Sequence, residues 1–320
     1  MGSTPFSLSC VVPAYNEAGH LAAFLVALRD VVANITPHYE ILVINDGSRD
    51  NTREITLNAA ADCGVRYLEL SRNFGKEAAL SAGLDHARGD VVLLIDSDFQ
   101  HPLEMVPEMI GLWQNGYDMV YGVLADRSQD SVLKRVGTNA FYRLMTFGSK
   151  ITIPRDAGDF RLMDRKVVDA LRALPERNRF MKGLYAWVGF RSVAIPFVAA
   201  DRAGGKSSFS LRRLGGLALS GLTAFTVLPL RIWSLIGFTI SIVALLYGIY
   251  TVIMTLIFGN QVPGWTTLVV GLMFFSGVQL LSIGILGEYL GRVYDEVKNR
   301  PIYVVAHDAD HSRLTRAEDV

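Results

Sequence analysis

The chain has 320 residues, half of them hydrophobic, which is enough for a large core and for one or two domains. Its 31 basic residues balance its 31 acidic ones, and this balance argues against a nucleic-acid binder. Cys10 and Cys63 have neither metal-ligand spacing nor the density of a disulfide framework, so a reducing compartment is expected. The opening MGSTPFSLSC lacks the basic start and apolar run of a signal peptide.

Short apolar runs alternate with helix-like stretches through the first two thirds of the chain. The strand candidates are residues 8–15, 40–46, 65–71, 91–98 and 118–123, and the helix candidates are 17–32, 51–63, 76–87 and 103–115. This alternation, with strands that are apolar throughout, predicts an α/β fold with a mostly parallel sheet covered on both faces. In such sheets ligands bind at the carboxyl ends of the strands.

Two aspartates follow the fourth strand candidate, in the stretch VVLLIDSDFQHP from Val91 to Pro102. Side chains at i and i+2 of an extended segment point the same way, so Asp96 and Asp98 can converge on one hard cation. Gln100 repeats the spacing and offers a third oxygen. Mg²⁺ or Mn²⁺ suits such a set, because a hard cation often joins one or two carboxylates to substrate phosphates. A lone D-x-D is common in turns, but its place after a buried strand favours a metal site.

Polar groups also follow the other strand candidates. These segments are PAYNE at 13–17, NDGSRDNT at 45–52 and SRNFGKEAA at 71–79. Asp46 is placed to bind a base or a ribose, and Lys76 faces either a phosphate or only the solvent. Together these strand ends suit a nucleotide diphosphate with a metal. A dehydrogenase is excluded because no G-x-G-x-x-G follows the first strand, and a P-loop is excluded because Ala200 replaces a required glycine.

No Asp, Glu, Lys or Arg occurs from Ile232 to Gly287, and GNQVPG divides this stretch in two. Segments 232–258 and 265–287 are each long enough to span a bilayer core of about 30 Å. Basic residues lie on both outer flanks and none lies in the connecting loop: Arg212, Arg213, Arg231, Arg292, Lys298 and Arg300. The positive-inside rule therefore predicts a multi-pass protein of the cytoplasmic (inner) membrane, with the α/β domain and both termini in the cytoplasm.

These patterns divide the chain into four parts. Residues 1–210 form the α/β domain, 211–231 an interfacial juxtamembrane segment, 232–290 the two transmembrane helices and 291–320 a cytoplasmic tail. Residues 211–228 fit an ordinary core helix about as well as an interfacial segment.

Five motifs carry a family resemblance: PAYNE, INDGSRDNT, LSRNFGKEAAL, DSDFQHP and AGDFRLMDR, in this order. They resemble the family 2 glycosyltransferases with a GT-A (Rossmann-like) fold. ERNRFMKGLYAWVGF, LPLRIWSLIG and GILGEYLGRVYDEVKNRPIY extend the resemblance to polyprenyl-phosphate glycosyltransferases of the bactoprenol glucosyltransferase type and, more distantly, to dolichol-phosphate mannose synthase. The resemblance implies inverting transfer of a hexose from a nucleotide sugar, UDP-glucose foremost, to undecaprenyl phosphate or a similar lipid on the cytoplasmic face.

The resemblance also implies a site. It assigns the donor nucleotide sugar to Pro13, Ala14, Tyr15, Asn16, Glu17, Asp46, Lys76, Asp96, Ser97, Asp98 and Arg202. Asp96 and Asp98 match the D-x-D motif, and Asp98 with Gln100 matches the metal ligands, for Mg²⁺ or Mn²⁺. Asp159 in AGDFRLMDR matches an acid proposed as the base. A homotetramer, a flippase and a downstream membrane glycosyltransferase are the partners that the resemblance implies.

One departure from the family pattern follows Arg202. The family often reads G-x-S-K-aromatic there, whereas this chain reads GKSSF from Gly205 to Phe209. The usual lysine position is therefore Ser208, and a lysine lies two residues earlier at Lys206. This shift leaves the phosphate role of both positions open.

The acceptor chemistry can be argued from the reaction itself. A phosphate monoester has a second pKa of about 6 and is largely a dianion at neutral pH, so it needs positioning more than deprotonation. We therefore expect Asp159 to orient the sugar or a basic residue rather than to remove a proton, although an acid that only fixes a loop also fits. Arg127 and Arg135 are the first candidates for binding the acceptor phosphate, and Lys134, Lys206 and Ser207 are the next. A solvated helix face explains each basic residue of 125–143 about as well.

Two other function classes fit parts of the sequence. An enzyme that makes or breaks a nucleotide-sugar bond shares the metal-diphosphate chemistry but needs no lipid acceptor. A non-catalytic membrane scaffold is disfavoured because the acids at 96, 98 and 159 and Gln100 are intact. Sugar specificity depends on a few hydroxyl contacts, so UDP-N-acetylglucosamine, UDP-galactose and GDP-mannose stay open beside UDP-glucose.

Overall fold

The computed structural model describes residues 5–125, 157–177, 179–198, 228–258, 264–312 and 314. The strands are β1 Leu8–Ala14, β2 Tyr39–Asn45, β3 Val65–Leu70, β4 Val91–Leu94, β5 Met119–Leu124, β6 Ala157–Asp164, β7 Ser192–Phe197 and β8 Val305–Asp310. The helices are α1 Leu21–Ala33, α2 Thr52–Cys63, α3 Lys76–His86, α4 Val106–Gln114, α5 Arg165–Arg172, α6 Met181–Trp187, α7 Leu228–Phe258 and α8 Trp265–Val297, with a 3₁₀ turn at Leu103–Met105.

The strands form one sheet in the order β7-β5-β6-β4-β1-β2-β3-β8. Strands β1 to β4 are mutually parallel, and β5 and β7 run the same way. Strand β6 is antiparallel to β4 and β5, and β8 is antiparallel to β3. The predicted α/β fold with a mostly parallel sheet is confirmed.

Helices cover both faces of the sheet, as the continuously apolar strands predict. Along β1, Cys10 and Val12 pack on one face with α1 and α4, while Val11 packs on the other face with α3, α5 and α6. Alternate residues of a strand point to opposite faces, so only a strand that is apolar at every position can supply two cores. Cys10 and Cys63 are buried free thiols within the first of these cores.

The C-terminal segment differs from the predicted tail. Helix α8 continues to Val297, and β8 pairs with the outer edge of β3. The Arg66 guanidinium binds the Asp308 carboxylate at 2.8 Å, and Arg88 binds Asp310 at 2.7 Å. Without β8, strand β3 would be an edge strand with unpaired backbone N–H and C=O groups, and such an edge readily pairs with another extended segment. Local sequence does not reveal such pairing.

Helices α7 and α8 contain the whole of the two predicted membrane spans, 232–258 and 265–287. Within the described part of the chain, one helical stretch, Gly271–Val297, is long and apolar enough to cross a membrane by length and hydropathy. The second predicted crossing, along α7, therefore stays a prediction. Large apolar side chains are exposed on both helices, among them Leu246, Phe258, Leu272 and Leu280.

Candidate active site

A cleft of about 450 Å³ lies at the carboxyl ends of the parallel strands. Its lining is Pro13, Ala14, Tyr15, Glu17, Asp46, Asn73, Gly75, Lys76, Ala79, Asp96, Ser97, Asp98 and Gln100. The structure thus brings together most of the side chains that the sequence assigned to the donor and the metal. Asn73, Gly75 and Ala79 were not predicted; the first two come from the segment that leads into α3, and Ala79 comes from the first turn of that helix.

The paired aspartates lie on a tight turn that follows β4. The backbone N–H of Ile95 donates to the Val11 carbonyl at 3.1 Å, which holds the end of the strand against β1. The turn then reverses through Phe99, whose φ of 59° is left-handed, and the backbone N–H of Gln100 donates to Asp98 Oδ1 at 3.1 Å. Burying the strand therefore fixes where its terminal acids lie.

Lys76, at the start of α3, connects two acids that are 63 positions apart in the sequence. Its Nζ lies 2.8 Å from the Asp96 carboxylate and 3.0 Å from Asp159 Oδ2. Strand β6 makes this possible, because it pairs antiparallel with β4 and so begins at the carboxyl end of that strand, although Asp159 itself does not line the cleft. Of the two sequence interpretations of Lys76, facing solvent alone is wrong.

The charges around Asp159 set its protonation. Burial raises the pKa of Asp159, but the ammonium groups of Lys76 and Lys182 outweigh burial, and the pKa lies below its ordinary value. For Lys76, burial lowers the pKa, while Asp96 and Asp159 raise it more strongly. Asp159 is therefore an ionised carboxylate bound to a cation, which is an arrangement suited to orienting groups.

Asp46 follows β2 and fixes the neighbouring loop. Its carboxylate accepts hydrogen bonds from the backbone N–H groups of Phe74 at 2.7 Å and Gly75 at 2.8 Å. Gly47 next to it has a φ of 64°, and a Cβ there would lie 2.5 Å from the Arg72 carbonyl carbon. Burial raises the pKa of Asp46, and the two backbone donors lower it in part. The carboxylate thus shapes the cleft wall, whatever further contact it makes with a nucleotide.

In the segment after β1, one side chain is exposed and the others contact neighbouring residues. Tyr15 is 41% exposed and presents its ring to the cleft. Asn16 does not line the cleft; it binds the loop after β2 through Ser48 Oγ and the Arg49 N–H, at 2.9 and 2.8 Å. Burial raises the pKa of Glu17, which His20 Nε2 contacts at 2.7 Å.

A divalent cation fits part of this donor set. Asp96, Asp98 and Gln100 line one wall of the cleft and supply two carboxylates and an amide oxygen. Among the described residues no group of three or more His, Cys, Asp or Glu side chains is placed to hold a metal. These three residues would hold Mg²⁺ or Mn²⁺ only together with oxygens from a bound phosphate, as is usual for Mg²⁺.

Sequence reasoning missed two titratable groups beside the cleft. Glu77 accepts the backbone N–H of Met181 at 3.2 Å, and burial together with Asp159 raises its pKa to about 7. His101 stacks on Phe160, with ring centroids 4.9 Å apart, and burial lowers its pKa. Both adjoin predicted residues in the sequence, but neither motif shows that Met181 or Phe160 would pack there.

The remaining predicted site residues lie outside the described residues. They are Arg127, Lys134, Arg135, Arg202, Lys206 and Ser207. Their roles toward the acceptor phosphate or the diphosphate stay predictions.

An α/β sheet in this strand order, with paired acids and a facing acid near its strand ends, has the GT-A architecture that the resemblance implies. Residues 9–172 match the model of glycosyl transferase family 2, and residues 228–293 match the GtrB C-terminal hairpin. The chain belongs to glycosyl transferase family 2.

Several curated relatives match nearly the whole chain. An SfII prophage-derived bactoprenol glucosyl transferase of Shigella flexneri is 47% identical over 300 residues, which are 93% of this chain and 97% of the relative. An uncharacterised glycosyltransferase of Synechocystis is 43% identical over 304 residues, covering 93% and 94% of the two chains. A solved glucosyl-3-phosphoglycerate synthase of Mycobacterium tuberculosis is 20% identical, with a TM-score of 0.46 over 68% of this chain and 78% of that one.

Proposed function

We propose that the protein transfers a hexose, foremost glucose from UDP-glucose, to a polyprenyl phosphate at the membrane surface, with inversion at the sugar carbon. The observation that carries this proposal is the cleft lined by Asp96, Asp98 and Gln100, in which Lys76 links Asp96 to Asp159 just outside the lining. The bactoprenol glucosyl transferases among the relatives support the lipid acceptor.

The route of the chain supports a membrane acceptor. Strand β7 runs parallel to the strands that end at the cleft, so Phe197 leaves the sheet at the cleft edge. Strand β8 is antiparallel to β3 and pairs Val305 with Leu70, so the chain returns from α8 at that same edge. The chain therefore leaves β7 and enters β8 on the side of the sheet where the strands that carry the paired acids end. A lipid phosphate at the membrane surface then has a short path to the cleft.

The sheet also constrains the topology. Strands β3 and β8 belong to one sheet, so they lie on the same side of any membrane. The chain between Phe197 and Val305 must then cross an even number of times, and if α8 crosses, a second crossing must precede it. The exposed apolar side chains of α7 make it the candidate, because large exposed apolar surfaces are rare in soluble proteins. Flanking arginines and lysines favour the cytoplasm as the shared side.

The transfer step follows from the charges. An oxygen of the acceptor phosphate attacks the anomeric carbon of the hexose, and the bond from that carbon to the diphosphate oxygen breaks. The nucleoside diphosphate leaves with the bonding electrons, and attack from the opposite side inverts the configuration. A divalent cation, when bound by Asp96, Asp98 and Gln100, supplies charge stabilisation to the departing diphosphate.

Asp159 positions a cation in this scheme. The acceptor is largely a dianion at neutral pH, with a second pKa of about 6, so no base is required. The contact at 3.0 Å between Asp159 and the Lys76 ammonium holds that cation between the two acids. Lys76 is thereby kept at the wall where the diphosphate charge develops, which is the position an electrostatic stabiliser needs.

The test uses the purified full-length protein with labelled UDP-glucose, Mg²⁺ and undecaprenyl phosphate. The expected result is label in the organic phase, in a product with inverted configuration. Free glucose alone would make the protein a hydrolase, and no turnover with any donor of a UDP-glucose, UDP-N-acetylglucosamine, UDP-galactose and GDP-mannose panel would favour a scaffold. A different active donor would keep lipid glycosylation and change only the sugar. A homotetramer and a partner flippase stay predictions.

A further inference from the structure

A second cavity, of about 160 Å³, lies between the β5–β6–β7 part of the sheet and α6, and it shares no lining residue with the donor cleft. Its lining is Met119, Tyr121, Arg161, Tyr185, Ala186, Gly189, Phe190 and Ser192. Pockets for drug-sized ligands usually measure roughly 300–1,000 Å³, so this cavity suits a small ion with a few waters.

A buried cation faces this cavity. Arg161 is 2% exposed, and its guanidinium lies over the rings of Tyr185 at 4.2 Å and Tyr121 at 5.0 Å. Its hydrogen bonds go to neutral acceptors, from Nε to the Gly158 carbonyl at 3.1 Å and from Nη1 to Met119 Sδ at 3.5 Å. No carboxylate of the described residues forms an ion pair with it. Asp159 acts on it electrostatically at longer range, without forming an ion pair. A buried guanidinium that no carboxylate contacts is unfavourable, so this arginine needs an explanation.

An unpaired hydroxyl faces the same cavity. Tyr185 is 1% exposed, and its hydroxyl has no hydrogen-bond partner among the residues that the structure describes. Buried polar groups in folded proteins are nearly always paired, with protein, water or a ligand. The Arg161 guanidinium and the Tyr185 hydroxyl line the same cavity, and a negatively charged, oxygen-rich group bound there would pair with both.

We propose that this cavity binds a small oxyanion, of phosphate or sulfate size, through the Arg161 guanidinium and the Tyr185 hydroxyl. The planar guanidinium offers parallel N–H donors that match two oxygens of such an anion. The hydroxyl of Ser192, which also lines the cavity, is a third donor. This anion site is separate from the donor cleft and does not depend on the proposed glycosyl transfer.

The site lies close to the chemistry. Arg161 and Asp159 are two residues apart on β6, so their side chains project from the same face of the sheet. A bound oxyanion therefore adds negative charge on the face that carries Asp159.

The test measures binding of inorganic phosphate to the full-length protein in detergent by isothermal titration calorimetry, with UDP saturating so that the donor cleft is filled. Wild-type protein should still bind phosphate. Arg161→Gln should weaken binding about ten- to hundredfold, as expected for one charge-assisted contact, and Tyr185→Phe about three- to tenfold. Arg191→Gln is the matched control, because Arg191 also lies over a tyrosine ring, Tyr117 at 4.4 Å, but is exposed. The Arg191→Gln variant should bind phosphate with the same affinity as the wild type.

Absence of phosphate binding in the wild type, or equal affinity in Arg161→Gln, would overturn the proposal. If Arg161→Gln does not fold, Tyr185→Phe decides, because it keeps the ring and removes only the hydroxyl; unchanged affinity there overturns the proposal as well. Methyl phosphate separates the sources of the anion. Binding of both probes means that the site takes an esterified phosphate, and binding of inorganic phosphate alone restricts it to the free ion.

Discussion

The sheet domain and the helical hairpin are both rich in apolar side chains, but the sheet domain buries most of them and the hairpin leaves many of them exposed. Every residue of β2 is buried, whereas Leu246 on α7 and Leu272 on α8 are 61% and 66% exposed. Burying apolar area stabilises a protein by about 25 cal/mol per Å² in water, so the sheet is held by its own packing. The hairpin gains this stabilisation only from an apolar solvent, which a bilayer provides. The proposed chemistry therefore depends on the sheet, and the proposed membrane location depends on the hairpin.

The largest expected effect is a loss of turnover on mutation of the cleft, without loss of membrane binding. Asp98→Ala removes a proposed metal ligand and should lower turnover by at least about hundredfold, as for other lost electrostatic stabilisers. The melting temperature and the membrane fraction should stay near the wild-type values, because the buried strand β4 is untouched. Asp169→Ala, an exposed acid on α5, is the control for turnover. Near-normal turnover of Asp98→Ala at saturating Mg²⁺ would remove Asp98 from the site.

Topology reporters sharpen the comparison on the hairpin side. A reporter inserted after Phe258 should report the far side of the membrane, and one fused after Val320 should report the cytoplasm. The reason is the sheet pairing of β8 with β3, which requires an even number of crossings between them. The same signal at both positions would show that α7 and α8 do not form a transmembrane hairpin.

A charge placed in the hairpin tests its solvent directly. Leu246→Arg puts a guanidinium in the middle of α7 and should disfavour insertion by about 2.5–3.5 kcal/mol if that helix spans the bilayer. The membrane-bound fraction should fall. Val26→Arg is the matched control on α1 of the sheet domain, where Val26 is also exposed, at 42%, but faces water. Equal membrane fractions for both variants would place α7 outside the bilayer.

Glu77 tests how much a buried carboxylate beside the cleft destabilises the sheet domain. Its pKa is raised to about 7 from 4.5, so the folded state binds its proton more tightly than the unfolded state does. Stability should therefore fall as pH rises from 4.5 to about 7. Glu77→Gln keeps an acceptor for the Met181 N–H and should flatten this fall, with a gain on the order of 2 kcal/mol above neutral pH. If the free energy of unfolding changed with pH in the same way for the wild type and for Glu77→Gln, this prediction would be wrong.

The smallest effect concerns the strand that returns from the hairpin to the sheet. Burial raises the pKa of Asp308, but the hydrogen bond and the charge of Arg66 outweigh it, so the net pKa is lowered. The pair should therefore stabilise the fold above the unfolded pKa of about 3.9 and lose this effect as pH falls through the lower folded value.

A double-mutant cycle of Arg66→Ala and Asp308→Ala measures that pair. Because Asp308 is 33% exposed, we expect a coupling of about 1 kcal/mol at neutral pH. The pair of Arg53 and Glu69, whose arginine is half exposed, should show a coupling near zero. A coupling for Arg66 and Asp308 no larger than this control would mean that β8 is held by backbone pairing alone.

The local patterns of the sequence determined a large part of this protein. Continuously apolar runs predicted both ends of β1 to β5 to within four residues, since burial on both faces leaves no other pattern. The segments after those strands predicted the cleft, because parallel strands end at one edge of the sheet. PAYNE and DSDFQHP thus named most of its lining before any distance was known.

Only the tertiary structure decided which distant segments meet. Strand β6 inserts against β4 in the opposite direction, and that insertion brings Asp159 to Lys76. Strand β8 closes the β3 edge from 242 positions away, through the contact of Asp308 with Arg66. The cation of Arg161 lies between two tyrosines contributed by β5 and α6. Each outcome depends on which backbone edges and side-chain surfaces are left to fill once the core has formed, and local periodicity carries no information about that.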